Sequence, residues 1–211
     1  MKIAGTMAIL AALTSFSIGA SRCTPAGGEI QLGHAIEFDG LDNARVMKLV
    51  PRRERVKLED ANGELLARFT LDAGRLRVER APRELMGFVV PAEEGGRGLQ
   101  ILDARGEKLI YQLVREPDGD LRLEDHGHNV LYVVKLREYG FKTVDAGGAV
   151  QSRVRVKPEK VSLRDASGRT TLSTRDAIPP AAAACFTLGD LSLEFQTGLA
   201  LGIIHWGLEN P

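Results

Sequence analysis

The sequence predicts a mainly β protein: an antiparallel β-barrel of about twelve short strands that holds a buried, apolar C-terminal helical segment. Three observations carry that reading. A turn of the form Asp-Ala-x-Gly recurs at Asp60, Asp103, Asp145 and Asp165, with a degenerate copy at Asp125-His126-Gly127-His128. The step is about 21 residues, and the interval from Asp60 to Asp103 holds two steps. Asp opens such a turn by bonding the backbone ahead of it, and Gly supplies the positive φ that closes it. Between turns, apolar and polar residues alternate. Beyond about residue 176 the alternation gives way to an alanine run and a segment apolar on almost every face.

The chain opens with a segment outside that fold. Lys2 is the sole charge before Arg22, and the apolar stretch Met7-Ala8-Ile9-Leu10-Ala11-Ala12-Leu13 leads to Ile18-Gly19-Ala20. A charged start, a short apolar stretch and small residues before a break make residues 1–20 a secretory signal peptide, cleaved after Ala20. Two alternatives stay open: a retained membrane anchor, and a lipoprotein carrying lipid on Cys23, although Arg22 stands where that chemistry wants a small residue. Each version takes the protein out of the cytoplasm, to the periplasm or cell envelope, tethered there if Cys23 is lipidated. An oxidising compartment permits pairing of Cys23 with Cys185. The setting Ala181-Ala182-Ala183-Ala184-Cys185-Phe186 favours a buried packing position for Cys185 instead.

Residues 21–44, with Ala26-Gly27-Gly28, Gly33 and Gly40, read as a Gly-rich tether or loosely docked arm. The barrel domain occupies 45–211. Leu76 and Val78 oppose Arg75, Arg77 and Glu79; Val130, Tyr132, Val134 and Leu136 share one face; Val161 and Leu163 oppose Ser162 and Arg164. Period two over short runs describes hairpins with one wet face, and so many strands need closure to hide their edges. Pro179-Pro180 ahead of the alanines starts a helix over about 178–188, since proline is tolerated in a first turn. After the Gly189-Asp190 break, a second helix runs over about 192–206. Its uninterrupted apolar part is too short to span a bilayer, so it is buried in protein. Phe186, Leu193, Leu199, Ile203 and Ile204 are expected in the core.

The repeated turns at Asp103, Asp145 and Asp165, with the ending Ala184-Cys185-Phe186-Thr187-Leu188-Gly189-Asp190-Leu191-Ser192-Leu193-Glu194, resemble the LURP-one-related group of the tubby C-terminal superfamily. The resemblance covers roughly residues 45–207 and is one of pattern. It implies a twelve-stranded barrel threaded by its own C-terminal helix. It also implies membrane association, because tubby proteins bind phosphoinositides through basic surface residues and scramblase relatives act at membranes. No short motif carries a binding residue over to this chain, and the export signal departs from a cytosolic phosphoinositide binder.

Composition narrows the function further. Lys and Arg total 28 against 28 Asp and Glu, so the formal net charge is zero, which removes the global electrostatic case for a nucleic-acid partner. No nucleophile elbow, Ser-x-x-Lys pair or phosphate loop occurs, and no cofactor is expected. His126 and His128 after Glu124-Asp125 form the one dense group of metal-capable side chains; solvated turn residues are the stronger reading, because no third ligand can be named. His205 beside Trp206 reads as a helix-end or core histidine.

What remains is surface charge. Arg153-Val154-Arg155-Val156-Lys157 turns at Pro158-Glu159 and returns through Lys160-Val161-Ser162-Leu163-Arg164. In register, Arg153, Arg155, Lys157, Lys160 and Arg164 share one outer face, which suits an anionic partner such as a lipid headgroup. A second basic run, Arg52-Arg53-Glu54-Arg55-Val56-Lys57, has the same character. The expectation is an exported, non-enzymatic binding module for an anionic or lipid-like ligand, a membrane surface or a protein. A structural envelope component and an unrecognised hydrolase using His126 or His128 with a carboxylate are the alternatives.

Overall fold

The computed structural model describes residues 30, 32–92 and 98–207. The signal-peptide segment and Cys23 lie outside these residues. Fourteen strands form a closed antiparallel barrel: β1 (Ile36–Asp39), β2 (Arg45–Arg52), β3 (Arg55–Asp60), β4 (Leu65–Asp72), β5 (Arg75–Arg80), β6 (Glu84–Pro91) and β7 (Gly98–Leu102) make its first half. The second half is β8 (Leu109–Arg115), β9 (Leu121–Asp125), β10 (Val130–Arg137), β11 (Gly140–Asp145), β12 (Val150–Lys157), β13 (Lys160–Asp165) and β14 (Thr170–Thr174). Each strand pairs with its sequence neighbours, and β1 meets β14 to close the ring.

Consecutive antiparallel strands put alternate connections at the same end. The Asp turns therefore all crown one end, and the Asp carboxylate organises each. Asp60 Oδ1 accepts from Asn62 N and Glu64 N, both at 2.8 Å, while Gly63 N donates to Asp60 O at 3.1 Å. The same pattern holds at Asp103, Asp125, Asp145 and Asp165. At the degenerate turn His128 takes the glycine's place with φ 61°, a region that His tolerates better than most side chains. The double interval between Asp60 and Asp103 does hold a further turn, Ala81–Arg83, between β5 and β6.

The fold class is the expected one, a closed antiparallel barrel with a C-terminal helical segment, and two details of it differ. The barrel has fourteen strands among the described residues, against about twelve expected, and part of the difference lies in the supposed arm. Within 21–44, Ile36 and Phe38 of β1 point inward and are fully buried, and Ile30 and Leu32 join the same core. Four residues between glycine-bearing stretches were too short to show as a strand by periodicity alone. The β1–β14 seam is correspondingly thin, with Asp39 facing Ser173 as its one register pair. Side chains reinforce it: Asp176 Oδ2 accepts from Glu37 N at 2.6 Å, and Arg175 lies 3.9 Å from Asp39.

Two helices fill the barrel. α1 (Pro180–Ala184) begins with proline in its first turn, as expected, and continues through a 3₁₀ turn, Cys185–Thr187. α2 (Leu193–Trp206) is capped by Ser192 and ends at Gly207 in the left-handed region. α1 packs on β11, β12 and β13; α2 packs on β5, β6 and β7, across the ring, and the two helices touch each other. They thus form a hairpin across the lumen, sharing one core with the inward side chains of the strands. Close approach is set by Gly198 and Gly202. A Cβ on Gly198 would come within 3.0 Å of Val89, and one on Gly202 within 2.8 Å of Leu99. Leu199 and Ile203 are buried as expected, whereas Phe186, Leu193 and Ile204 are half-buried. All three pack against the core with part of their surface left open, Leu193 at the start of α2 and Ile204 near its end.

Candidate functional site

The ladder decides the expected basic face. Arg153 pairs with Arg164, Arg155 with Ser162 and Lys157 with Lys160, so all five predicted basic residues project from the outer side of β12 and β13. Pairing of β11 with β12 adds Lys142 opposite Arg153, and pairing of β10 with β11 adds Lys135 opposite Lys142. Lys135, Lys142, Arg153 and Arg164 therefore stand in one row across four strands, about 4.8 Å from strand to strand. Arg137 faces Gly140, which faces Arg155, and this forms the next row. Eight basic side chains occupy this wall. The four strands contain just two carboxylates, Asp145 and Asp165, both at the Asp-turn end.

Those two carboxylates are committed to turns. Asp165 accepts from Ser167 Oγ at 2.6 Å and from Arg169 N at 3.0 Å, and these bonds, the Ser167 one foremost, hold its carboxyl below its ordinary pKa. Asp145 accepts from Ala149 N and Gln151 Nε2. Among the described residues none of the eight wall cations forms an ion pair. Arg153 Nη1 donates to Ala166 O at 3.3 Å, and Arg164 Nε is shielded from solvent without a partner. Tyr139, Arg153, Arg155, Arg164 and Gly168 line a depression of about 250 Å³. Beyond it, at the end opposite the Asp turns, a groove of about 680 Å³ runs between the β12–β13 tip and the segment Arg175–Pro180.

The other sequence candidates fall elsewhere. The second basic run forms the β2–β3 turn, where Arg52, Arg53, Glu54, Arg55 and Thr70 line a hollow of about 520 Å³. His126 and His128 sit in the exposed β9–β10 turn, with His128 Nδ1 3.4 Å from Glu124 Oε2. Among the described residues no group of three or more His, Cys, Asp or Glu side chains is placed to hold a metal ion. Cys185 is buried and unpaired, and burial pushes its thiol pKa up. Both ring nitrogens of His205 lack partners, and burial lowers its pKa. Lys135, Arg137 and Lys142 were missed in the sequence. Their own alternation was visible, but joining them to the Arg153 face needs the register across the Asp145 turn, where a bulge between Thr143 and Val144 shifts the count.

The molecule so far is a closed antiparallel barrel, filled by its own C-terminal helices, with one wall of unneutralised positive charge. Neither the protein-family models nor the curated proteins contain a match to this chain. Among solved structures, BamB from Moraxella catarrhalis is similar over 61% of this chain and 66% of that one, at 12% identity and a TM-score of 0.27. A likeness of that size carries no argument about fold or function. No helix among the described residues is long and apolar enough to cross a membrane.

Proposed function

We propose that the protein is an exported, non-catalytic binding module whose β10–β13 wall adsorbs to an anionic membrane surface. The observation that carries this is the row Lys135, Lys142, Arg153 and Arg164, in which every cation faces another cation and none has a carboxylate partner. Like charges placed directly opposite weaken a sheet slightly, so an anionic partner is the natural counterpart of such a row. Each Lys or Arg held near an anionic bilayer contributes about 1 kcal/mol, so several acting together give firm adsorption by a chain of zero net charge. Export rests on the signal peptide read in residues 1–20. The LURP-one-related and tubby resemblance belongs to the same proposal and points the same way, although its twelve strands differ from the fourteen here.

Flotation of the mature protein with anionic and with neutral vesicles tests the reading. The parent should float with the anionic vesicles alone, and high salt should release it, since the Debye length shrinks to about 3 Å at 1 M. Arg153→Glu/Arg155→Glu should lower the bound fraction by tenfold or more, to order of magnitude. Equal behaviour of parent and variant on both lipids would leave the wall as solvated surface and favour a structural envelope component.

A further inference from the structure

We infer that the neighbouring tips of the β10–β11 and β12–β13 hairpins form an interfacial anchor, which sets the barrel on the bilayer with the end opposite the Asp turns toward the lipid. This rests on the membrane reading of the basic wall and adds an orientation and an apolar contact to it. The large hydrophobic side chains left exposed among the described residues are Leu41 (57%), Val46 (42%), Leu136 (44%) and Tyr139 (36%). Leu41 and Val46 flank the β1–β2 turn at the Asp-turn end. Leu136 and Tyr139 lie at the opposite end, on the tip between β10 and β11: Tyr139 lines the depression with Arg153, Arg155 and Arg164, whereas Leu136 falls on the other face of β10 from Lys135 and Arg137, against Gly119 of the β8–β9 turn. Arg137 separates them in sequence, and Gly140, next to Tyr139, faces Arg155.

The neighbouring tip presents Pro158 between Lys157 and Lys160, which face each other across its two-residue turn. Both tips are fixed in place. Tyr139 O accepts from Val156 N at 2.8 Å, and Leu136 N donates to Asp120 Oδ1 at 2.7 Å. The carboxylates nearby are Glu138, Glu159, Asp118 and Asp120 of the β8–β9 turn, and Asp176 across the groove, set against Arg137, Arg155, Lys157, Lys160 and Arg175.

An aromatic ring with a polar tip beside Arg153 and Arg155, on a tip that also exposes an aliphatic side chain, matches the boundary between headgroups and acyl chains. The ring and the leucine lie at the acyl edge, and the long basic side chains reach back to the phosphates. A second copy of this chain is a poor occupant. A two-fold contact through this surface would set Arg137, Arg155, Lys157 and Lys160 against like charges.

The test uses mature protein and vesicles of phosphatidylcholine with phosphatidylglycerol, with and without bromine on the acyl chains. Tyr139→Trp should gain fluorescence that the brominated chains quench, over the Trp206 background of the parent. Leu136→Ser/Tyr139→Ser should partition about tenfold less well and should be released at lower salt, since charge alone then holds it. Val46→Ser, at the far end, should behave as the parent. Circular dichroism and melting confirm that each variant is folded. If the parent binds the vesicles while the new tryptophan stays unquenched and the double serine variant binds equally well, the anchor is refuted and the adsorbing wall stands. If the parent binds neither vesicle, both are refuted.

Discussion

Two walls of the same barrel carry comparable numbers of basic residues and treat them differently. On the β2–β5 wall both kinds of pair occur: Lys48 faces Glu59, Arg68 faces Glu79 and Asp72 faces Arg75, while Lys57 faces Arg68 and Arg52 faces Arg55. Ion pairs also form on this wall, Lys48 to Glu37 of β1 at 2.6 Å and Arg77 to Glu79 within β5 at 2.9 Å. On the β10–β13 wall like meets like, from Lys135 through Lys142 and Arg153 to Arg164, and again from Lys157 to Lys160. Facing opposite charges contribute about 0.2–1 kcal/mol per pair, and facing like charges cost a similar amount. The first wall commits part of its charge to the fold, through Arg45, Lys48, Arg77 and Arg80. The second leaves its charges available, which is what a surface for an external anion requires.

The inside of the barrel makes no such distinction, and that gives the largest expected effect. Both walls share one core with α1 and α2. Ile203 of α2 is 1% exposed within it. Ile203→Asp puts a carboxylate there without a partner and should cost about 3–5 kcal/mol. Amide exchange should show protection falling in β3–β5 and in β11–β13 together. Protection lost on one wall alone would mean that the two halves are separate units, and their comparison as parts of one fold would fail.

A smaller effect addresses the charges directly, and its sign is the point. Lys142→Glu places a carboxylate between Lys135 and Arg153 and should raise the melting temperature by a few degrees while weakening adsorption. Lys48→Glu places one beside Glu37 and Glu59 and should lower it by a similar amount while leaving adsorption unchanged. Thermal melts and vesicle flotation on the two variants read both quantities. If both substitutions destabilise, or both weaken adsorption, the rows through Lys48 and Lys142 do not differ as their registers describe.

The sequence made the fold class legible because turn chemistry is local. Asp60, Asp103, Asp145 and Asp165 announce their hairpins within four residues, and the all-round apolar character of the last helix requires a buried place. β1 escaped because Ile36 and Phe38 alone are too few to set a period. The candidate site was half legible. Arg153 to Arg164 form a single hairpin, whose two-residue turn fixes its register. Lys135 and Lys142 belong to other strands, and their row is completed through a bulge that alternation does not reveal. That the wall cations lack ion pairs was not readable either, because the nearby Asp145 and Asp165 are taken up by turn backbone only in three dimensions.

The smallest effect separates the walls by pH. The Lys48 ammonium bonded to Glu37 is the main influence holding that carboxyl below its ordinary pKa of 4.5; partial burial opposes the shift, and Arg45 assists it. A carboxyl whose folded pKa is depressed binds fewer protons than its unfolded counterpart. Its contribution is therefore complete above about pH 4.5 and fades as the pH falls through the folded value. Parent and Glu37→Gln should differ most in melting temperature near neutrality and converge on acidification below about pH 4. Lys142→Gln on the other wall should differ from the parent by the same amount across that range, because the row Lys135, Lys142, Arg153 and Arg164 contains no carboxylate. The Lys142→Gln gap should also have the opposite sign, with the variant the more stable, since it removes a repulsion. A Glu37→Gln gap that persists unchanged at pH 3 would mean that the glutamate acts by packing, and the β2–β5 wall would then owe its stability to something other than paired charge.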